Sequence, residues 1–260
     1  MCTVVFIPRG DKYFFASLRD ESPLRPMAAG PTIYKNGDAV ILSPIDAKAG
    51  GTWLGVTASG SVIILLNGGF EKHVRQTNYR KSRGLIVTEL LATNLPVVNW
   101  NLMDMHGVEP YTLVVWNEGN LFQLVWDGEH KHGALLKFNQ PFIWSSSTLY
   151  DQQARTHRSE LFQQWIAINT PVSSISVFNF FKSYTESENG FLMNRNEQTK
   201  TLSYTFIELQ IDDSAEMQYH DFLSVTYHDK KIWFNNSIRN LLPAKEILHR
   251  VEYIKSHWFK

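Results

Sequence analysis

Residues Met1–Pro26 read MCTVVFIPRGDKYFFASLRDESPLRP. An apolar run from Thr3 to Ile7 stops at Pro8-Arg9-Gly10-Asp11, and a second runs from Tyr13 to Leu18. Two short apolar runs across a Pro/Gly turn predict a β-hairpin that begins at the second residue. The hairpin seats Cys2, the one cysteine of the 260 residues, at the end of an ordered strand. A small residue after the initiator favours removal of Met1, which would leave an amine and a thiol on one residue. Their reference pKa values are ~7.7–8.0 and ~8.5, so part of the amine is already a free base beside its own nucleophile at neutral pH. The plainer alternative is a small apolar residue that opens a buried strand.

Directly after the second strand, Arg19-Asp20-Glu21 reads either as a solvated turn or as a charged pair facing Cys2. In the second case Arg19 favours thiolate and Asp20 holds the α-amine by a charge-assisted hydrogen bond.

Outward from the hairpin, strands are predicted at Ala39 to Ser43, Thr52 to Thr57 and Ser61 to Leu66, the last ended by Asn67-Gly68-Gly69. TLVVWNEGNLFQLVWDG, residues 112–128, is a long hairpin turning at Asn117 to Asn120. Further strands fit Thr201 to Ile211 and Phe222 to Tyr227, with Lys231 to Phe234 pairing back. Helical spacing appears at Gly84 to Thr93 (Leu85, Thr88 and Leu91 on one face), at Tyr150 to Asn169 (Leu161, Phe162, Trp165, Ile166) and at Val172 to Tyr184 (Ile175, Phe178, Phe181). No linker or repeat divides the chain, so residues 1–260 are expected to form a single α+β domain.

Hydrophobic residues make up 43% and charged residues 19% of the chain, and Lys plus Arg balance Asp plus Glu at 25 each. That composition is globular, and zero net charge offers no global attraction for nucleic acid or an anionic membrane. One cysteine cannot form an internal disulfide, Pro8-Arg9-Gly10 interrupts any signal-peptide core, and no apolar run is long enough for a stable membrane span. A reducing, cytoplasmic setting is expected, and the sequon at Asn235 to Ser237 is read as chance.

Of the other polar residues, Asn67 at a strand end is either a turn former or an oxyanion donor. His130 and His132 in DGEHKHG read as a polar hairpin tip, and His157, among Arg155, Arg158 and Glu160, as a solvated helix face; no metal and no cofactor is expected. VFNFFKSY, residues 177–184, reads as core. Trp144 with Ser145 to Thr148 precedes the long helix, whose first N–H groups can bind an anion.

Taken together, Met1-Cys2, LRDESPLRP (residues 18–26), GGTWLGV (50–56) and SRGLIVTELL (82–91) resemble the NRDE family, also called the transport-and-Golgi-organisation protein 2 family. Weaker likeness continues through WSSSTLYDQQARTHR and KTLSYTFIEL. The resemblance implies an N-terminal nucleophile hydrolase fold, a four-layer αββα sandwich. It further implies an N-terminal cysteine nucleophile hydrolase that cleaves a non-peptide amide through an acyl-enzyme on Cys2. Arg19 and Asp20 would be the charged pair and Asn67 a polar strand-end group. Leu18 stands where the family signature has Asn, removing a polar group beside the expected site, and Ser147 falls where related enzymes carry an oxyanion-hole Asn. The partner expected is a small-molecule amide or acyl substrate, lipid-like ones included; the oligomeric state stays open. Two alternatives stay open too: an acyltransferase using the same acyl-enzyme, and a non-enzymatic lipid or haem carrier on the same fold.

Overall fold

A computed structural model describes residues 3–168, 171–184, 189–195 and 198–235. The expectations placed on Met1, Cys2 and the sequon at 235–237 therefore fall wholly or partly outside the described residues.

The opening hairpin is β1 (Thr3–Arg9) and β2 (Lys12–Glu21), turning at Gly10, whose φ of 62° suits glycine. The chain then makes β3 (Ala29–Asn36), β4 (Ala39–Ile45), β5 (Leu54–Thr57) and β6 (Val62–Asn67) before α1 (Arg83–Leu91) and α2 (Pro96–Leu102). Next come β7 (Tyr111–Asn117), β8 (Asn120–Trp126), β9 (Lys131–Leu136) and β10 (Phe142–Ser145). Then follow α3 (Gln152–Ile168), α4 (Ser174–Lys182), β11 (Asn194–Arg195), β12 (Thr199–Gln210), β13 (Ser214–Asp221) and β14 (Thr226–Trp233).

Two antiparallel sheets result. In the first the order is β10-β1-β2-β12-β13-β14, with β11 paired to β12; in the second β3 to β9 lie in chain order. Alternation along β1 and β2 decides the layering, because successive strand residues face opposite sides. Val4, Phe6, Tyr13 and Phe15 join a core shared with β4 to β8 of the second sheet, whereas Val5, Ile7, Phe14, Ala16 and Leu18 join one shared with Phe162, Ile166, Phe180 and Phe181 of α3 and α4. Helices α1 and α2 cover the other side of the second sheet through Ile86, Val87, Leu90, Leu91, Val97 and Trp100. The layers are therefore α, β, β, α, as the family resemblance implied.

Several local expectations are corrected. Phe222 to Tyr227 is not one strand: Asp221 Oδ1 accepts from Leu223 N (3.0 Å) and Ser224 N (2.9 Å), and Val225 sits at φ 55°, so residues 222–225 form a turn, while Thr226 and Tyr227 open β14, which runs on through Lys231 and pairs with β13. A β-branched residue at positive φ is the reverse of ordinary turn chemistry. The buried face of α4 is Val177, Phe180 and Phe181, packed in the helix-side core, leaving Ile175 exposed; the Ser173–Ser176 capping box fixes where the helix starts. In α1, which starts after the expected Ser82 cap, the inward residues are Ile86, Val87, Leu90 and Leu91. His132 lies within β9 and not at a hairpin tip.

Candidate functional site

The ends of β2 and β6, the Asp46–Trp53 loop and the first turn of α1 surround a cleft of about 510 Å³. Gly51 admits the helix: a Cβ there would lie 2.5 Å from the Gly84 carbonyl carbon, so only glycine lets the α1 N-terminus close on the loop. Thr52 N donates to Gly84 O (3.3 Å) across that approach.

Arg19 and Asp20 both line the cleft and both are buried. Arg19 stacks over the Trp53 ring, 4.6 Å from its centroid, and donates from Nη2 to Asp46 Oδ2 (2.9 Å). Arg25 donates to the same carboxylate from Nε (2.8 Å) and Nη2 (3.1 Å), and the Lys48 and Ala49 amides donate to Asp46 Oδ1 at 3.0 and 2.9 Å. Burial alone would push the Asp46 carboxyl up; the Arg25 hydrogen bond, the Ala49 amide and the charges of Arg25 and Arg19 outweigh it and hold the group below the usual carboxylate range. Arg25 Nη1 also lies 3.5 Å from Glu21 Oε2, so two guanidiniums face two carboxylates in this cluster. Asp20 Oδ1 accepts from Thr201 Oγ1 (2.6 Å), which itself accepts from Met193 N (2.7 Å).

Farther out, Glu109 receives Arg83 (3.0 Å), His73 (3.3 Å) and Arg75 (3.9 Å). Six cationic side chains line the cleft (Arg19, Arg25, Lys72, Arg75, Lys81, Arg83) against four carboxylates (Asp20, Glu21, Asp46, Glu109). The lining thus favours an anionic group.

Asn67 belongs to this cleft and also to a second one of about 490 Å³, between α3 and β8, where Trp144, Gln123 and Ser145 to Ser147 form the wall. Its carbonyl accepts from Ser146 Oγ (2.7 Å). Gly68 follows at φ 85°, where a side chain would overlap Ser147 Oγ; glycine is what lets the Asn67 turn seat on the serine run. Arg19, Asp20 and Asn67 are brought together. Ser147 is not: it lines only the second cleft and donates to Glu71 O (3.1 Å). Leu18 is also not beside the site, since its fully buried side chain points into the helix-facing core, so its apolar character there removes nothing from the cleft.

Asp46 and Glu109 escaped the sequence reading, although Asp46 opens a turn closed by Gly50-Gly51, a signal of an anchored loop. Arg158 escaped more completely. Expected on a solvated face, it is fully buried, in line with Ala154, Phe162 and Ile166 on the inward stripe of α3. Away from both clefts, His132 Nε2 lies 2.7 Å from Asp127 Oδ2, and the amides of His130 and Glu129 donate to Oδ1. Burial opposes ionisation of Asp127, but these donors bring its pKa to about 2. Among the described residues no three His, Cys, Asp or Glu side chains converge as a metal site, and no described helix is long and apolar enough to cross a membrane.

The fold is shared with solved hydrolases. Two variants of conjugated bile acid hydrolase from Clostridium perfringens match with TM-scores of 0.59 and 0.57 at 10% identity, covering 89% and 88% of this chain and 92% of theirs. The Caenorhabditis elegans ortholog of N-acylethanolamine-hydrolyzing acid amidase matches with a TM-score of 0.53 at 12% identity, covering 79% of this chain and 92% of that one. At these identities the likeness is one of fold. No curated protein matches in sequence. The profile of Transport and Golgi organisation 2 matches residues 1–220, and the chain belongs to that family.

Proposed function

We propose that the chain is an N-terminal cysteine amide hydrolase acting on a small molecule that carries an anionic group. One observation carries the reading: in a fold shared with amide hydrolases, the buried Arg19 and Asp20 meet Asn67 in one cleft with excess positive charge. Cys2 is the residue covalently joined to Thr3, whose partner across the hairpin is Leu18, the neighbour of Arg19.

With Met1 removed, the α-amine takes the thiol proton and the thiolate sulfur bonds to the substrate carbonyl carbon. The carbonyl π pair moves to oxygen, with the polar Asn67 end of β6 as its candidate partner. As the tetrahedral species collapses the C–N bond breaks, and the leaving nitrogen takes the proton from the α-ammonium. Water, deprotonated by the same amine, then attacks the thioester, and the C–S bond breaks to restore the thiol. Asp20 orients the amine, and the Arg19 guanidinium favours thiolate. A reducing, cytoplasmic setting suits an unpaired nucleophilic thiol. Release to an amine in place of water would make the same acyl-enzyme a transferase.

Intact mass tests the reading in two steps. The functional protein is expected to lack Met1, and incubation with a library of anionic amides is expected to leave an acyl adduct on Cys2 that Asp20→Asn slows and Cys2→Ala abolishes. Retention of Met1 in functional protein removes the mechanism. Absence of any adduct, with a lipid or porphyrin co-purifying, favours the carrier.

A further inference from the structure

Arg158 occupies an unusual position for a helix residue whose sequence neighbours are polar. Its side chain is fully buried behind the first sheet. Nε donates to Ser145 Oγ (2.8 Å), Nη2 to Thr3 Oγ1 (2.5 Å), and Nη1 to the carbonyls of Asn189 (2.9 Å) and Gly190 (2.7 Å). The rings of Tyr150 and Phe191 enclose the guanidinium at 4.0 and 4.1 Å. Thr3 and Ser145 are paired residues, the first of β1 and the last of β10. One planar fork therefore ties both strands at the end where each leads to the site. From Thr3 the chain continues to Cys2; from Ser145 it continues to Ser146, whose hydroxyl holds the Asn67 carbonyl.

We infer that Arg158 is a positioning residue for the nucleophile, acting through Thr3 and, on the other side, through Ser145 and Ser146 on Asn67. The inference rests on the reading of Cys2 as nucleophile. It explains the identity of the residue as well as its place: a lysine ammonium would keep the charge but cannot span two hydroxyls and two carbonyls with a rigid planar donor set. Hydroxyls at residues 3 and 145 are the complementary requirement, since valine or alanine there would leave buried N–H groups facing apolar atoms. The charged groups around this end of β1 are Arg158 from α3 and Arg19 and Asp20 from β2, with Asp46 behind Arg19. A shift in the start of β1 changes the setting of the thiol relative to all four.

Because Cys2 is the sole thiol, its alkylation by iodoacetamide reads this setting without a known substrate. Folded wild type, Thr3→Val, Thr3→Ser and Arg158→Lys are compared across the thiol ionisation by intact mass, with thermal stability measured alongside. Thr3→Val and Arg158→Lys are expected to change the limiting rate by about threefold or more or to move the apparent thiol pKa, while Thr3→Ser follows wild type. Superimposable profiles for wild type, Thr3→Val and Thr3→Ser overturn the inference even where Tm falls, and that pair decides it if Arg158→Lys does not fold. The outcome is separable from the hydrolase reading: a hydroxyl-dependent profile in a protein that no amide acylates keeps the clamp and removes the hydrolysis.

Discussion

Two buried arginines sit on opposite faces of the first sheet, near the same end of the opening hairpin. Arg19, on the face between the sheets, has an acidic partner in Asp46, one stacked ring in Trp53 and an open cleft beside it. Arg158, on the helix face, is held by hydroxyls and carbonyls and enclosed by two rings. The first arrangement leaves charge available to a ligand. The second has its donors directed at strand ends, which suits holding a geometry. On the proposed reading, the face that opens to solvent takes the chemistry and the closed face takes the alignment.

Breaking the stack under Arg19 is expected to have the largest effect. Trp53 is only 5% exposed and sits in the core between the sheets, so Trp53→Ala should cost roughly 3 to 5 kcal/mol in chemical denaturation. Arg158→Met comes next, at about 3 kcal/mol, because Thr3, Ser145 and the Asn189 and Gly190 carbonyls lose charge-assisted partners in a site closed to water. Methionine matches only the aliphatic stem, so the loss combines the hydrogen bonds with the space the guanidinium leaves between Tyr150 and Phe191.

Asp46→Asn should cost less at neutral pH, about 2 kcal/mol, since Arg25 remains partly in solvent. The pH dependence makes it diagnostic. The folded pKa of Asp46 is depressed, so its contribution is fully present above the ordinary carboxylate value and is lost as pH falls through the folded value. The wild-type and Asp46→Asn stabilities should therefore converge only in that acidic range, in denaturation curves taken at a series of pH values. A constant gap would show that the carboxylate is not stabilised by its arginines.

How far sequence reveals such sites depends on whether the partners are local. The hairpin β1–β2, the β4 to β6 run and the β7–β8 hairpin follow from apolar runs cut by Gly, Asn and Pro, signals that lie within a few residues of each other. Arg19 and Asp20 are legible as charges at a strand end. Their setting is not, since Asp46 is 27 residues away and Thr201 is 181 residues from Asp20. The Arg158 clamp spans 155 residues to Thr3. Only its period was readable: Ala154, Arg158, Phe162 and Ile166 repeat at four, which places an arginine on an apolar stripe. Where local chemistry misleads, as at Phe222 to Val225, a single carboxylate from Asp221 overrides an apolar run. The inward face of α4 is likewise decided by distant packing partners, Val177, Phe180 and Phe181 meeting β2 and β12 residues in the helix-side core.

The smallest expected effect on stability accompanies the largest on chemistry. Cys2→Ala should leave stability within about 1 kcal/mol, because the hydrogen bonds of the Arg19–Asp46–Arg25 cluster and the Arg158 clamp described above are made with residues other than Cys2. The same substitution should abolish acylation. A loss of many degrees in Tm would instead mark Cys2 as a packing residue at the head of β1, the plain strand alternative. Arg19→Gln divides the two faces most finely. With one guanidinium removed, Asp46 and Glu21 share Arg25 alone, and the apparent pKa of the Cys2 thiol should rise, slowing alkylation near neutral pH while the limiting rate at high pH is kept. Thr3→Val should alter that limiting rate. Two variants that moved the profile in the same way would erase the distinction between an electrostatic face and an aligning one.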